Sequence, residues 1–260
     1  MHINISFINI LTKIITSNKY IKKFYIKTFP NSKYNLKDIL IEILFILKTG
    51  ISWRDNRSNI NYQSIYYHFK RFVNFGIFKK LFIKLRSTFI KSHKTNVQII
   101  DSTFIMNKFG KNFTARNKFF KSKNCNKVSL LTDINGIPLS ALINLGNIHD
   151  INFLKPHLND LYYLNKKYNN HVQILADKGY ESKIIRSQIL PKYSLMIPKK
   201  SNMKITYSFD KLLYKNRIHI EHSFSKLKVF RRIMVRYDSN IINFNGFLFL
   251  ALSQIIFNKL

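Results

Sequence analysis

Apolar residues recur with helical spacing in the first third of the chain, and the period changes near residue 97. Leu36, Ile39, Leu40, Ile43, Leu44 and Leu47 follow the i, i+3, i+4, i+7 pattern of an amphipathic helix. Asn35 can cap its start, and Gly50 lies just past its end. Ile65, Phe69, Phe72 and Val73 predict a second helix stopping near Gly76. Phe78, Leu81, Phe82, Leu85 and Phe89 predict a third. Basic residues between the apolar ones (Lys70, Arg71, Lys79, Lys80, Lys84) suit a small helix-turn-helix-like bundle, although a plain helical bundle has the same periodicity. Residues 1–34 show no clear period.

Beyond that point the pattern mixes strands with helices. Val97–Thr103 reads as a short, mostly buried strand. Val128–Thr132 and Ile137–Leu145 flank Ile134-Asn135-Gly136, a strong hairpin signal. A helix is expected over Ile151–Leu164, a strand over His171–Ala176, a helix over Ser182–Leu190 and a strand over Tyr193–Ile197. A long helix from about Asp210 to Phe230 and a final one over Ile241–Phe257 complete the order. This predicts an α/β fold, with a small helical domain over residues 1–95 and a mixed-sheet layered domain over residues 96–260.

Charge then changes the picture. The chain carries 44 Lys+Arg against 12 Asp+Glu, a formal net charge of +32, while 46% of residues are apolar. That apolar fraction excludes a disordered basic tail, and the charge points to a polyanion whose counterions the cations would release. Much of the lysine excess is also what A- and T-rich codons would produce, so a carboxylate among so few acids carries more information than any one lysine. Cys125 is the only cysteine, which excludes an internal disulfide framework and a multi-cysteine zinc site. Phe247–Phe257 is about half the ~20 residues needed to span a bilayer. The first sixteen residues lack the form of a signal peptide. A cytoplasmic, DNA-associated protein is expected.

Three acids stand out by position. Asp101 follows Val97-Gln98-Ile99-Ile100 and Asp177 follows Val172-Gln173-Ile174-Leu175-Ala176, so each is carried near the end of a buried strand. A carboxylate there is costly unless paired, protonated or bound to metal; a pair of strand-end caps is the alternative. On one continuous helix, Tyr214, Arg217, Glu221 and Lys228 would share a narrow stripe at about 100° per residue, with Leu213, Ile220, Phe224 and Leu227 on the adjoining apolar face. An i, i+4 ion pair of Arg217 with Glu221 is the plainer reading of that stripe. Taken together, two strand aspartates and a helix glutamate could converge on divalent metal. Hard oxygen ligands favour Mg²⁺ or Mn²⁺, and two such ions would serve in-line attack on a phosphodiester.

At these residues the chain resembles a known family. Tyr214-x2-Arg217-x3-Glu221-x6-Lys228 is similar to the YREK signature of DDE insertion-sequence transposases, most closely the IS5-like group of the IS4/IS5 superfamily. Ile100-Asp101-Ser102-Thr103 and Ala176-Asp177-Lys178-Gly179-Tyr180 resemble the segments holding that family's first and second catalytic aspartates. Asn147-Ile148-His149-Asp150, Ile197-Pro198-Lys199-Lys200-Ser201-Asn202 and Phe224–Ile233 also match in order, as does Leu47–Asp55 upstream. The resemblance implies an RNase H-like catalytic domain after a helical DNA-binding domain. It implies Asp101, Asp177 and Glu221 as catalytic, metal-binding triad, with two Mg²⁺ or Mn²⁺ ions. Tyr214, Arg217 and Lys228 would contact or arrange DNA, and Lys178, Lys226, Arg231 and Arg232 of the same basic segments are the further DNA-binding candidates. The implied partners are double-stranded transposon ends and target DNA. A homodimer or larger synaptic complex would assemble on terminal inverted repeats.

Other residues are read more plainly. His219 and His222 flank Glu221 without zinc-protease spacing, Asp150 is expected to cap a helix, Trp53 to anchor the helical bundle, and Cys125 to be structural. The residues alone leave two rivals to the transposase: a metal-dependent nuclease or domesticated relative that cuts without joining, and a basic DNA-binding protein with no catalysis.

Overall fold

A computed structural model describes residues 4–17, 34–56, 58–93, 96–167, 171–189, 192–199 and 209–260. The chain forms two compact units, residues 1–85 with 227–260, and residues 86–226. These units do not follow a division at residue 95, because the last helix joins the first ones.

In the first unit, helix α1 spans Ile5–Ser17 and buries Phe7, Ile8, Leu11 and Ile15. Ile5, Ile10 and Ile14 widen its apolar side beyond the buried stripe, leaving Ser6, Asn9, Lys13 and Ser17 as a narrow polar face that blurs the period. Helix α2, Leu36–Thr49, starts at Asn35, whose side chain accepts from the Lys37 N–H, and ends at Gly50 in the left-handed region (φ 71°). A Cβ at Gly50 would also lie 3.0 Å from the Arg231 Cβ, so this turn requires glycine twice over. Helices α3 (Tyr62–Asn74) and α4 (Ile77–Ser92, whose last turns belong to the second unit) follow as expected. Trp53 sits on a 3-10 turn between them and α2, with ring centroids 5.1 Å from Tyr66, 5.1 Å from Phe69 and 5.8 Å from Phe247. It anchors this bundle, as the sequence suggests.

The second unit is built on a sheet. Strand β1 is Val97–Asn107, β2 Ala115–Asn117, β3 Lys123–Asp133, β4 Pro138–Leu145, β5 Val172–Leu175 and β6 Tyr193–Met196. One edge of β3 pairs with β1, and its other edge carries β4 and β2; all three pairings are antiparallel. Strands β5 and β6 add in parallel beyond β1. This mixed order is that of an RNase H-like sheet. Its strands read as apolar runs because both faces are covered: Ile99, Ile100, Leu130, Leu131, Ile174 and Leu175 are fully buried. Helix α5 (Leu154–Lys167) buries Leu154 and Leu161.

The long helix expected over Asp210–Phe230 is broken. Helix α6 is Lys183–Ile189, between β5 and β6. Then α7 covers only Lys211–Lys215, and α8 runs from Ile218 to Lys228 as Ile218–Lys228. Between α7 and α8 the N–H groups of Arg217, His219 and Ile220 bond three residues back, at 3.0, 3.0 and 3.2 Å, and the Asn216 side chain donates to the Leu213 carbonyl at 2.9 Å. Asparagine competes for backbone acceptors and tightens the turn, so the continuous-helix wheel does not hold across residue 216. The remaining helices, α9 (Arg231–Met234) and α10 (Ile241–Phe257), belong to the first unit, where Phe247 stacks on Phe69 at 4.3 Å. Buried on nearly all sides, α10 is a core helix. Among the described residues, no helix is long and apolar enough to cross a membrane.

Candidate active site

The parallel pairing of β1 with β5 sets Val97, Gln98 and Ile99 opposite Gln173, Ile174 and Leu175. Asp177 lies two residues beyond the last paired residue of β5, close enough for its charge to act on Asp101. Asp101 lies in the middle of β1, paired across to Leu130, rather than near the strand's end; the polar sequence Ser102-Thr103 conceals a ladder that continues to Met106. Asp177 stands two residues past the end of β5, and its carboxylate accepts from the Gly179 N–H at 2.8 Å, capping the 3-10 turn Lys178–Tyr180.

Arg217 reaches this pair. Its guanidinium donates to the Asp101 carboxylate at 2.5 Å, with 22% and 19% of the two side chains exposed. The i, i+4 pairing with Glu221 is therefore not made: the tightened turn directs Arg217 to the sheet. Its Nε is buried with no hydrogen-bond partner among the described residues. Tyr214 donates to the carbonyl of Ala176, the residue before Asp177, at 3.1 Å.

The electrostatics follow from burial. Burial lifts the Asp101 carboxyl above its ordinary value; Arg217 and the Ser102 N–H pull it back only in part, and the charge of Asp177 adds to the rise. Burial works to lower Arg217, but Asp101, Tyr214 and Asp177 carry it above its ordinary value. Burial, then the nearby carboxylates of Asp101, Asp150 and Asp177, holds the fully buried Tyr180 phenol well above its usual range.

A layer beneath fixes β1. Asp150 does not cap a helix: His149 occupies that position without a side-chain bond, and Asp150 accepts instead from the Ser102 hydroxyl and from Lys127 at 3.0 Å. The Lys127 ammonium also donates to the Ile148 carbonyl at 2.9 Å. Ser129 donates to the backbone carbonyl of Asp101 at 3.1 Å, and His157, fully buried, bridges Ser129 and Ser140 at 2.9 Å each. Burial pushes His157 down to about 3, so its ring is neutral. Ser140 in turn donates to the Asp160 carboxylate at 2.7 Å. Sequence reasoning missed His157 and Lys127; nothing in a lone His or Lys announces a partner tens of residues away.

Glu221 stands apart. It is exposed on α8, and no group of three His, Cys, Asp or Glu side chains converges as a metal site among the described residues. What fixes α8 is the hairpin turn, where Ser223 donates to the Gly136 carbonyl at 2.5 Å. Gly136 has φ 78°, and a Cβ there would run into the His219 carbonyl. The donor set at Asp101 and Asp177 is hard oxygen, which fits Mg²⁺ or Mn²⁺.

The basic residues divide. Lys178, Lys226 and Arg231 are exposed, and burial lowers the pKa of the half-buried Lys228. Arg232 is removed from the DNA-contact set. It is 4% exposed, clasps both oxygens of Asp238 at 3.0 and 3.1 Å, and donates to the Ile51 carbonyl at 3.1 Å. Cys125 is buried and free, its thiol pushed up by burial. Lys200, Ser201 and Asn202 lie outside the described residues.

The family model described as transposase DDE domain matches residues 92–256. No curated protein matches the sequence. Among solved structures, the piggyBac transposase synaptic complex with hairpin DNA is similar with a TM-score of 0.54 and 10% identity, over 97% of this chain and 75% of that one. The Mos1 strand transfer complex matches with a TM-score of 0.33 and 11% identity, over 93% of this chain and 85% of that one. The family match spans well over half of the chain, so the protein belongs to the transposase DDE family and is a DDE transposase.

Proposed function

We propose that the protein binds the terminal inverted repeats of an insertion sequence of the IS5-like group, cleaves at its ends and joins the freed 3′-hydroxyl to target DNA. Asp101, Asp177 and Glu221 are the catalytic carboxylates, working with two Mg²⁺ or Mn²⁺ ions. The observation that supports this most is the Arg217 guanidinium on Asp101, with the Asp177 carboxylate near enough to act on the same group. Divalent ions held by these acids would activate the attacking water or hydroxyl and stabilise the leaving oxygen. The chain's own groups orient the rest. Ser129 and Asp150 hold the Asp101 segment from beneath, and Tyr214 holds the turn before Asp177. Arg217, paired with Asp101, sets a positive charge beside the carboxylates, where a DNA phosphate would lie.

Glu221 enters this reading as the ligand that completes the site when DNA is bound. Lys178, Lys226, Lys228 and Arg231 would track the phosphate backbone, residues 1–95 would read the transposon end, and the active species would be a synaptic homodimer or larger complex. The protein would work in the cytoplasm on nucleoid DNA.

The experiment uses purified protein with end-bearing duplex and Mg²⁺. Asp101→Ala, Asp177→Ala and Glu221→Ala should each cut at less than about one-hundredth of the wild-type rate, while still binding the duplex. Cleavage undiminished in any of the three removes that residue from the site. Pre-nicked ends with a free 3′-hydroxyl should yield joined product; good cleavage without joining would identify a nuclease instead.

A further inference from the structure

The ladder between β1 and β3 continues well past Asp101, through Thr103 opposite Val128 and Ile105 opposite Asn126 to Met106 opposite Cys125. Residues 107–123 follow, a tongue that holds six Lys or Arg, four Phe and no acid. Its rings point outward. Phe119 is 93% exposed, Phe109 58% and Phe113 43%. Phe120 is the exception, stacking on Phe104 at 5.4 Å, with the Lys127 ammonium 4.9 Å from the Phe104 ring.

This tongue is held, not loose. Asn107 bonds both the N–H and the carbonyl of Gly110, at 2.7 and 2.9 Å; Asn126 donates to the Phe113 carbonyl and Asn117 to the Gly146 carbonyl, each at 2.6 Å. Phe113, Lys121 and Ser122 sit at φ of 52°, 51° and 52°, the non-glycine positive values among the described residues. Left-handed backbone is unfavourable for side chains with a Cβ, and it persists where surrounding bonds impose it. Four asparagine-directed bonds and three strained residues therefore present aromatic rings to water, against the hydrophobic effect.

Basic residues alone would suit an intact duplex, whose phosphates they neutralise, but a duplex hides its base faces. Unpaired bases expose them, and every base can stack on a phenyl ring. Five residues of β1 separate Asp101 from Met106, about 17 Å at ~3.3 Å per residue, or about five nucleotides at ~3.4 Å each. We propose that residues 107–123 form a stacking platform for unpaired bases of the DNA strand, at least about five nucleotides from the phosphodiester held at Asp101. This rests on the reading of the sheet carboxylates as a DNA-cutting site.

The test measures binding by fluorescence anisotropy in EDTA, so that no strand is cut. The full chain is offered a duplex, the same duplex with a short central bubble, and single-stranded RNA of the bubble sequence. Phe119→Ala should weaken bubble binding about tenfold and change duplex binding less than twofold, and Phe119→Trp should restore it. A 2-aminopurine in the bubble should be quenched by the wild type and not by Phe119→Ala. Bubble affinity unchanged in Phe119→Ala, an equal loss on the duplex, or tighter binding of the RNA would overturn the platform alone. Absence of binding to either DNA would overturn the functional reading with it.

Discussion

Replacing Arg217 by alanine strips the Asp101 carboxylate of the cation that neutralises it. The two side chains are about four-fifths buried. Truncating one member of a fully buried pair costs about 3–5 kcal/mol and an exposed pair at most about 1, so this pair should be worth roughly 2 kcal/mol. That loss has an escape: the orphaned carboxyl can take a proton. Its folded-state pKa is already raised by burial and rises further without Arg217. Between the unfolded value and that raised value the native state holds more protons than the unfolded one, so stability falls as pH increases through the window. The stability gap between wild type and Arg217→Ala, from urea titrations, should be under about 1 kcal/mol at pH 5 and about 2 kcal/mol at pH 8. On the proposed reading Mg²⁺ would supply a different cation to Asp101, so it should raise the melting temperature of the variant at pH 8 more than that of the wild type, at matched ionic strength. A gap of equal size at both pH values would refute the reasoning, because it would mean that Arg217 contributes packing and not charge.

Further outcomes follow from the same structure. His157 is neutral when folded and protonates near 6.5 when unfolded, so wild-type stability should fall as pH drops from about 6.5 toward 3, by at most roughly 4–5 kcal/mol. His157→Phe should flatten that slope in denaturation measured across the range. Arg232→Ala leaves Asp238 charged and buried, and should cost about 3–4 kcal/mol in a urea titration. Arg231→Ala, by contrast, should leave stability within ~0.5 kcal/mol and reduce the salt slope of DNA binding by about one.

Element order was largely legible, because amphipathic periods and a hairpin turn are local signals: Asn35, Gly50, Asn135-Gly136 and the span Ile241–Phe257 appear where the sequence puts them. Helix α1 and the break at Asn216 were not legible. One is hidden by an apolar side broader than its buried stripe, the other by a side chain that competes for a single carbonyl. Asp101 and Asp177 could be singled out as acids beside apolar strands, and their nearness needs the sheet that sets β5 beside β1. Scarcity of acids did not separate site from scaffold. Asp160, Glu181 and Asp238 are equally rare and pair with Arg86, Arg186 and Arg232, while Asp133 closes the hairpin by accepting from the Ile137 N–H at 2.6 Å. Arg217 and Glu221 share a motif in the sequence, yet only Arg217 is directed at the sheet.

Mn²⁺ binding to the free protein, followed by its electron paramagnetic resonance signal, tests most directly whether Asp101 and Asp177 are the primary metal ligands. Asp101→Asn and Asp177→Asn should each weaken Mn²⁺ at least about tenfold, since losing even an outer partner of a metal site has that effect. Glu221→Gln should bind Mn²⁺ like the wild type until DNA is added. Unchanged Mn²⁺ affinity in Asp101→Asn would contradict that assignment.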